Sequence, residues 1–307
     1  MNWKKKGLIF NSDKTFDWAV TGAMIPTPII LNDEIIRVFV TFLDKLGIGR
    51  TGYVDLCKDN PFKILDISKK PIFNIGGSGA FDDNGVLTCS VLQNKKNEFL
   101  FYYAGFELGQ KIRYRLLSGL AITDNKFNLI KKFNVPILER SENELFFRGG
   151  PFCIFDEKKS IYKMWYVGGS EWKVINSKPM PIYFIKYIES IDGIDWPNEG
   201  KTCFGFASRD EYGFGRPYVI YHENIYKMFY SIRLISKGYR LGYAESVDGY
   251  NWTRKDHMMD LDISPDGWDS EMLTYASVIN NEGRLMMFYN GNQYGKTGFG
   301  LAEFVSN

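Results

Sequence analysis

The chain is poor in the residues that most often bind metal ions or form disulfides. It has two histidines, His222 and His257, and neither lies where the repeat described below would open towards a ligand. Its four cysteines include no Cys-x-x-Cys pair and lie in apolar, strand-like segments. These shortages argue against a His-based catalytic dyad, a zinc site or a disulfide framework, and they predict buried, reduced thiols. We expect no metal and no cofactor.

Long apolar runs and an excess of one charge are also missing. No stretch approaches the roughly 18 uninterrupted apolar residues of a membrane helix, and the basic N-terminus is not followed by a signal-peptide core. The 38 basic and 36 acidic residues nearly cancel, which leaves no case for a nucleic-acid surface. We therefore expect a cytoplasmic protein that neither inserts into a membrane nor binds nucleic acid.

Runs of helix-forming residues are scarce, whereas aromatic residues make up 16% of the chain and favour strands. One phrase occurs twice, at residues 187–196 and 243–252, and each copy contains an Asp-Gly pair shortly before a Trp. The alternation before the pair predicts a strand. The Asp-Gly pair predicts a tight turn whose glycine has positive φ, and the Trp begins another strand.

Weaker copies of the same strand order divide the chain into five repeats, which follow one another about every 60 residues. Their first strands begin near residues 27, 88, 150, 216 and 275. Repeat 5 lacks a fourth strand, and residues 3–10 match the closing pattern of repeats 1 and 2. The sequence therefore predicts a single all-β domain over residues 1–307. It would be a five-bladed β-propeller of four-stranded antiparallel blades, with the N-terminal strand completing the last blade.

The repeats and their motifs resemble a known superfamily. The Ser-x-Asp-Gly-x-x-Trp phrase and the second strands that end at Tyr166 and Tyr230 are similar to those of the five-bladed propeller glycosidases of glycoside hydrolase families 43, 32, 68 and 130. Segments that begin at Arg148, Gly267 and Tyr289 look closest to a bacterial glycosidase-like subgroup associated with surface-polysaccharide genes. The resemblance covers essentially the whole chain and implies a site at the mouth of a central channel.

The resemblance also implies three carboxylates at the starts of the innermost strands, where they serve as acid, as base or nucleophile, and as modulator. The positions that precede the aligned first-strand residues are 26–27, 87–88, 149–150, 215–216 and 274–275. None of these ten residues is Asp or Glu, so the usual triad is absent from its standard positions. Carboxylates displaced onto nearby loops become the catalytic candidates, and we select Asp44, Asp83 and Glu271.

Two of the three candidates have a competing structural explanation. Asp83 lies in an Asp-Asn-Gly turn sequence, and Asp44 could form an ordinary surface ion pair with Arg50. Glu271 is less typical of a turn and lies just before the first strand of repeat 5.

Nine further residues are candidates for substrate binding. Arg148 and Arg216 have glycine neighbours that leave room for a ligand, and a guanidinium suits a carboxylate or phosphate. Trp172 could stack on a sugar, as aromatic rings do, although a loop position is an alternative. Six further residues complete the set. Thr88 and Tyr275 occupy aligned first-strand positions, and Asp17 could cap a loop. Asn290, Asn292 and Tyr294 could bind sugar hydroxyl groups.

Two functions remain open from the sequence. One is an enzyme that acts on a glycosidic or sugar-phosphate bond of an anionic or nucleotide-linked sugar, by hydrolysis, phosphorolysis or transfer. The other is a non-hydrolytic propeller that binds a sugar or nucleotide sugar in polysaccharide biosynthesis. In both cases the partner is a small-molecule carbohydrate, sugar phosphate or nucleotide sugar.

Overall fold

Almost all regular structure in the chain is β-strand, which confirms the predicted all-β class. The computed structural model describes residues 1–305, and only the backbone of residues 13–15. The strands are β1 Trp3–Phe10, β2 Asp13–Phe16, β3 Ala19–Ile30, β4 Ile35–Leu43, β5 Gly49–Cys57, β6 Ile64–Ile67, β7 Val86–Gln93, β8 Phe99–Leu108, β9 Tyr114–Thr123, β10 Leu129–Lys132, β11 Phe147–Asp156, β12 Ile161–Ile175, β13 Lys178–Ser190, β14 Lys201–Thr202, β15 Glu211–His222, β16 Ile225–Leu234, β17 Arg240–Ser246, β18 Thr253–Arg254, β19 Thr274–Asn281, β20 Arg284–Asn290 and β21 Phe299–Phe304.

Two short helical segments accompany the strands. They are a 3-10 helix, Asp256–Met258, and a single turn, Asn292–Gly295, in which two residues have left-handed backbone. Neither of these described helices is long and apolar enough to cross a membrane.

One compact unit, unit 1, consists of Met1–Pro71, Tyr218–Ile232 and Ser236–Asn307. One of its sheets has the order β1-β21-β20-β19. Strand β1 pairs antiparallel with β21, from Trp3 opposite Phe304 to Phe10 opposite Phe299, so the predicted pairing of the first strand with the last is confirmed. The buried Trp3 ring packs edge-on against Phe229 and Phe304, which fixes the N-terminal strand through apolar contact as well as backbone hydrogen bonds.

A second sheet of unit 1 has the order β2-β3-β4-β5-β6. Strand β4 supplies the apolar core of this sheet, because Ile36, Val38, Val40 and Phe42 are all fully buried. They alternate along the strand, as expected for residues that share one face of a sheet.

The other unit, unit 2, consists of Ile72–Pro217 and Arg233–Ile235. Within it, β7 to β10 and β11 to β14 each form consecutive antiparallel pairs. Strand β11 also pairs in parallel with β9, where Phe147 lies opposite Leu116 and Arg148 opposite Leu117. This parallel contact joins repeats 2 and 3 at the start of a first strand.

The first strands of repeats 1, 3 and 5 share one irregularity, because the pairing register shifts within β3, β11 and β19. A residue with positive φ lies at each shift: Ile25 at 56°, Gly150 at 62° and Tyr275 at 55°. This register aligns Pro26 with Pro151, whereas the sequence pattern favoured Pro28. The corrected positions in repeat 1 are Met24 and Ile25, which are likewise not acidic.

The duplicated phrase forms the predicted turn in both copies. In the first, the Ser190 hydroxyl accepts the Gly193 N–H, the Asp192 carboxylate accepts two further backbone N–H groups, and Gly193 has φ 74°. Trp196 Nε1 donates to the Gly193 carbonyl at 3.2 Å, and its ring packs edge-on against Tyr102 of repeat 2. The phrase therefore makes a turn and packs neighbouring repeats together.

The outermost strands are the shortest of the repeats in which they are described. Strands β6 and β10 have four residues each, and β14 and β18 have two. Each of these strands pairs with one neighbour, and β6 is largely exposed. A strand with one partner gains fewer hydrogen bonds and buries less surface, so only its centre stays regular.

The four cysteines are free thiols, as predicted. Cys89 and Cys153 are buried, whereas Cys57 and Cys203 are partly exposed. Burial raises the pKa of Cys89 to about 11, so this thiol is uncharged at neutral pH.

Candidate functional site

Four carboxylates in the described part of the chain are each bonded to a tyrosine of a second strand. The hydroxyl-to-carboxylate distances are 2.9 Å for Tyr103 and Asp82, 2.8 Å for Tyr166 and Glu144, 2.6 Å for Tyr230 and Asp256, and 3.0 Å for Tyr289 and Asp269. Each carboxylate also meets a cation: Lys132, Arg148 with Lys186, Arg254 and Lys5, respectively. We call these groups the tyrosine–carboxylate clusters.

The most enclosed cluster surrounds Glu144, which is fully buried. Its carboxylate lies 2.7 Å from Arg148 Nε and 2.7 Å from Lys186 Nζ and also accepts the Tyr166 hydroxyl. Burial raises the pKa of Tyr166, and the negative charge of Glu144 raises it further. The tyrosine therefore remains a neutral donor, and the Glu144 carboxylate is enclosed by partners from its own unit.

Arg148 was predicted to bind substrate, and the structure places it inside this cluster. Its guanidinium also donates to the carbonyl oxygens of Glu139, at 2.8 Å, and Pro197, at 2.9 Å, and the residue is 2% exposed. These partners account for a buried guanidinium without any ligand. A substrate contact for Arg148 stays a prediction.

Arg216 and Thr88, two other predicted substrate-binding residues, are brought together in unit 2. Arg216 Nη2 donates to the carbonyl of Cys89, the residue after Thr88, at 3.1 Å. Both predicted residues are buried, and Arg216 has the unusual φ of 20°. A β-carbon placed on Gly150 would lie 4.0 Å from the Arg216 Cα, so glycine leaves space beside this arginine.

Trp172 lies on the long hairpin formed by β12 and β13. Its ring contacts Tyr114 edge-on at 5.7 Å and Phe147 at 5.6 Å, and it is partly exposed. Its buried Nε1 has no hydrogen-bond partner among the residues that the structure describes. The indole thus packs within an aromatic group of unit 2 and is not one of the groups that bond Arg148.

Asp44 and Asp83 are both held in turns. Asp44 lies 2.7 Å from Arg50 and accepts the backbone N–H groups of Leu46 and Ile48. Burial acts to raise the pKa of Asp44, but the hydrogen bonds from Arg50 and the backbone outweigh it and lower the pKa. The ion pair between Asp44 and Arg50, which the sequence offered as the alternative to a catalytic role for Asp44, is therefore present.

Asp83 accepts the Gly79 N–H at 2.9 Å and the Asn84 side-chain amide at 2.8 Å. Asp17 is exposed in the turn between β2 and β3, beside Trp18, whose indole donates to the Lys69 carbonyl. The turn and loop explanations fit both aspartates, and their roles towards substrate stay predictions.

Glu271, Asn292 and Tyr294 meet in unit 1 around two loops. The Glu271 N–H donates to Asn292 Oδ1 at 2.8 Å, and the Asn292 amide donates to the Gly267 carbonyl at 3.0 Å. The Glu271 side chain is exposed, and no described residue bonds its carboxylate. We call the group of Glu271, Asn292, Tyr294 and Tyr239, whose contact with Tyr294 is described below, the Glu271 site.

The second loop presents Tyr294 through strained backbone. Gln293 and Tyr294 have φ of 53° and 61°, consecutive left-handed residues that non-glycine side chains rarely adopt. Asn290 is fully buried below them, where its amide donates to the Ala23 and Gly298 carbonyls and its oxygen accepts the Ile25 N–H. Both asparagines thus hold backbone, although the sequence suggested that they bind sugar hydroxyls.

Tyr275 is half-buried at the start of β19. Its N–H donates to the Ser231 hydroxyl at 2.9 Å, which stabilises the positive φ of this residue. The same hydroxyl lies 2.9 Å from Thr274 Oγ1. Five residues predicted separately, Glu271, Tyr275, Asn290, Asn292 and Tyr294, therefore lie on adjoining segments of one unit.

Sequence reasoning missed Tyr239 and Arg240. The Tyr239 ring packs edge-on against Tyr294, with 5.2 Å between centroids, and the Arg240 guanidinium donates to the Glu271 carbonyl at 3.2 Å. Both residues follow the second strand of repeat 4. Asp44 likewise follows the second strand of repeat 1, so a search of the residues after each second strand would have included Tyr239 and Arg240.

The arrangement can perform two tasks. An exposed carboxylate with no bonded partner can accept hydroxyl hydrogens or exchange a proton with a ligand oxygen. Tyr294, which is 38% exposed, supplies ring surface of the kind that packs against the C–H faces of sugars, and the buried Tyr239 ring supports it from one edge.

Comparison with known proteins places the chain in a family. No model of a known protein family matches it. A Mycobacterium tuberculosis protein, "Uncharacterized protein Rv1502", is 31% identical over 302 residues, which make up 98% of this chain and 99% of that protein. The chain belongs to the Rv1502 family. The match spans both units, so the clusters and the Glu271 site lie within the length that the two Rv1502 family members share.

Solved structures similar to this Rv1502 family member are glycoside hydrolases. One, named simply "Glycoside hydrolase", has a TM-score of 0.74 at 19% identity and covers 99% of this chain and 92% of its own. A thermostable family-43 glycoside hydrolase has a TM-score of 0.66 at 17% identity, covering 92% and 88%.

A third structure comes from work on the GH130 mannoside phosphorylases, whose family contains glycoside hydrolases that target β-1,2 mannosidic linkages in Candida mannan. It has a TM-score of 0.69 at 14% identity and covers 98% of this chain and 93% of its own. Together these likenesses show that the Rv1502 family chain has the β-propeller fold of glycosidases, as the resemblance implied.

Proposed function

We propose that this protein is carbohydrate-active and that the Glu271 site contacts the sugar. The observation that carries the proposal is the state of the Glu271 carboxylate: the side chain is exposed, and none of the described residues bonds its carboxylate. The Tyr239–Tyr294 ring pair lies on the segments that contact the Glu271 backbone. The glycosidase fold over 99% of the chain supports the same substrate class. By contrast, the carboxylates of Asp44 and Asp83 are already bonded within turns.

In the proposed reaction, protonated Glu271 donates its proton to the oxygen that leaves the anomeric carbon. Hydrolysis would need a second carboxylate to activate water or attack the sugar. Phosphorolysis needs none, because a phosphate oxygen attacks the anomeric carbon while the glycosidic bond breaks. The products are a sugar 1-phosphate and the freed hydroxyl compound. Of the three catalytic candidates, Glu271 alone has a carboxylate that no described residue bonds, which favours phosphorolysis over hydrolysis.

Several finer expectations belong to this proposal. The propeller would have five four-stranded blades in one domain over residues 1–307. The substrate would be a sugar phosphate or an anionic or nucleotide-linked sugar, and the reaction would serve surface-glycan metabolism in the cytoplasm. The pairing of β1 with β21 supports closure of the last blade.

Turnover of a defined panel tests the proposal. Nitrophenyl glycosides, sugar 1-phosphates and nucleotide sugars are incubated with the full chain, with and without inorganic phosphate, and products are quantified. We expect phosphate-dependent turnover that Glu271→Gln reduces about 100-fold or more, in line with the loss of a general acid. The matched control is Glu34→Gln, an exposed glutamate in the turn between β3 and β4 whose carboxylate no described residue bonds. Equal turnover by wild type and Glu271→Gln contradicts the catalytic role.

A second candidate function is non-hydrolytic binding of a sugar or nucleotide sugar. It is favoured by the first-strand positions where the glycosidases keep their acids, because in this chain none of those ten residues is acidic. Saturable binding of a panel member without turnover, weakened by Tyr294→Ala and unchanged by Glu271→Gln, would support this function over the enzyme.

A further inference from the structure

Unit 2 contains a cavity that none of the residues discussed as catalytic or substrate-binding lines. Its volume is about 630 Å³, within the range of small-ligand sites. The loop that precedes β11 forms one wall, and residues from β9 and from the loop before β14 complete it. The lining residues used below are Arg115, Glu139, Arg140, Ser141, Phe146 and Glu199.

The cavity has both hydrogen-bond donors and acceptors. Arg115 and Arg140 supply guanidinium groups, and Glu139, Glu142 and Glu199 supply carboxylates. Two cations against three carboxylates leave a net charge of −1, so an anion is not favoured, and the two guanidinium groups oppose a cation. A neutral ligand that both donates and accepts hydrogen bonds matches this lining.

The charged side chains of the cavity form ion pairs that stay open to solvent. Arg115 lies 3.1 Å from Glu107, and both side chains are 29% exposed. Arg140 lies 3.1 Å from Glu139, and both are more than half exposed. Pairs this open to solvent contribute little stability, so a ligand can exchange partners with them at small cost.

Two buried polar atoms of the lining residues point to a missing partner. Arg115 Nε and Ser141 Oγ have no hydrogen-bond partner in the described part of the chain. A buried polar group without a partner costs free energy, and such groups are rare in folded proteins. Rotation of either side chain towards the cavity would let a ligand hydroxyl satisfy it.

An apolar surface lies beside these polar groups. Phe146 is partly exposed at the cavity, and the neighbouring Leu145 is 44% exposed. An apolar patch edged by planar donors and acceptors suits a pyranose ring, which has an apolar C–H face and hydroxyl groups around its edge. A free phosphate has no such face.

We propose that this cavity is a second carbohydrate-binding site, which takes a neutral sugar unit. The inference rests on the proposed carbohydrate-active function and adds a site that the Glu271 loops do not form. Such a site would let the protein hold a glycan chain at more than one point and gain affinity from the second contact.

Ligand-observed NMR on the full chain tests the proposal. The probes are mannotriose, cellotriose, xylotriose and maltotriose, with inorganic phosphate as the charged comparison. Ser141→Trp fills the cavity, Arg115→Met removes the guanidinium while keeping the length of the side chain, and Tyr294→Ala disrupts the Glu271 site. Circular dichroism confirms that each variant folds.

We expect at least one trisaccharide to bind wild type and Tyr294→Ala but to lose its signal in both Ser141→Trp and Arg115→Met. Signals that vanish only in Tyr294→Ala would overturn the second site while supporting the proposed function. Signals that vanish only in the cavity variants would support the second site and leave the Glu271 site to the turnover test, in which the role of Glu271 is measured separately. Phosphate binding without trisaccharide binding, or no binding by any probe, would overturn the second site.

Discussion

Glu144 and Glu271 are both glutamates near a tyrosine and an arginine, yet their surroundings differ completely. Glu144 is fully buried, and Arg148, Lys186 and Tyr166 bond its two oxygens. The Glu271 side chain is exposed, and the Arg240 guanidinium bonds its backbone carbonyl instead of its carboxylate. The same residue types therefore build a structural cluster in one unit and an open site in the other.

The number of bonded partners separates a carboxylate that stabilises the fold from one that is available to a ligand. Buried carboxylates need cations and hydrogen-bond donors to offset the loss of water, and these partners then block a ligand. An exposed carboxylate keeps its lone pairs available because water bonds them weakly enough to be displaced. Counting the bonded partners of each carboxylate is therefore more informative than its distance from the end of a strand.

The largest effect on the unfolding free energy is expected from removing Glu144, the buried carboxylate. Glu144→Ala would leave Arg148 and Lys186 as cations without their shared carboxylate, which we expect to cost about 3–5 kcal/mol of unfolding free energy. Denaturant unfolding followed by fluorescence measures this loss. A cost below about 1 kcal/mol would mean that the cluster does not hold the sheets together.

A smaller effect is expected when the cluster loses one neutral hydrogen bond. Tyr166→Phe removes the hydroxyl that bonds Glu144 but leaves both cations in place, so we expect a loss of about 1–2 kcal/mol. Tyr221→Phe, at an exposed tyrosine of β15, is the matched control, and its unfolding midpoint should stay unchanged. Equal losses in the two variants would contradict the stabilising role of the buried Tyr166 hydroxyl.

Asp248 is an intermediate case, because its carboxylate is exposed but bonded by backbone N–H groups of Tyr250 and Asn251. Burial acts to raise its pKa, yet these hydrogen bonds outweigh burial and hold the pKa well below the ordinary 3.8. As the pH falls through 3.8, the unfolded chain takes up the proton first, so the stability gained from this turn is lost progressively below that pH.

Unfolding measured between about pH 5 and pH 2 tests this case, since that window runs from above the ordinary pKa of 3.8 towards the lowered pKa. Asp248→Asn should reduce the acid dependence by less than about 1 kcal/mol, because solvent screens an exposed turn. Asp192→Asn should behave in the same way, since the pKa of Asp192 is also lowered. An unchanged pH profile in both variants would show that the turns do not couple to protonation.

The smallest effect on stability is expected from a change at Glu271, the exposed carboxylate. We expect Glu271→Gln to change the unfolding free energy by less than about 0.5 kcal/mol, because it removes no bonded partner that the structure describes. Its effect should appear in turnover or sugar binding instead. A substantial loss of stability in this variant would place Glu271 among the structural carboxylates.

Much of the fold could be predicted because its signals are local. The Asp-Gly turns follow from a carboxylate and a glycine a few positions apart, and the pairing of β1 with β21 follows from a repeat that lacks one strand. The first-strand alignment was wrong in repeat 1, where Pro26 takes the place expected for Pro28. Two prolines one residue apart give the same pattern, and only the pairing register distinguishes them.

The candidate site was harder to predict because its contacts join distant segments. The guanidinium of Arg148 is bonded by the carbonyl of Pro197, which lies far along the chain. Tyr239 reaches Tyr294 from another repeat, so no spacing in the sequence connects them. Asn290 and Asn292 were suggested as ligands for sugar hydroxyls, and their amides instead hold backbone groups of adjoining segments.

The sequence by itself determined the all-β class, the turns, the order of the strands and the pairing of the first strand with the last. These features depend on residue types at short or regular spacing, which act through backbone geometry and apolar alternation. Only the tertiary structure decided which carboxylates are closed and which is open. That distinction depends on burial and on partners from other repeats, and neither is a property of a residue's near neighbours in the chain.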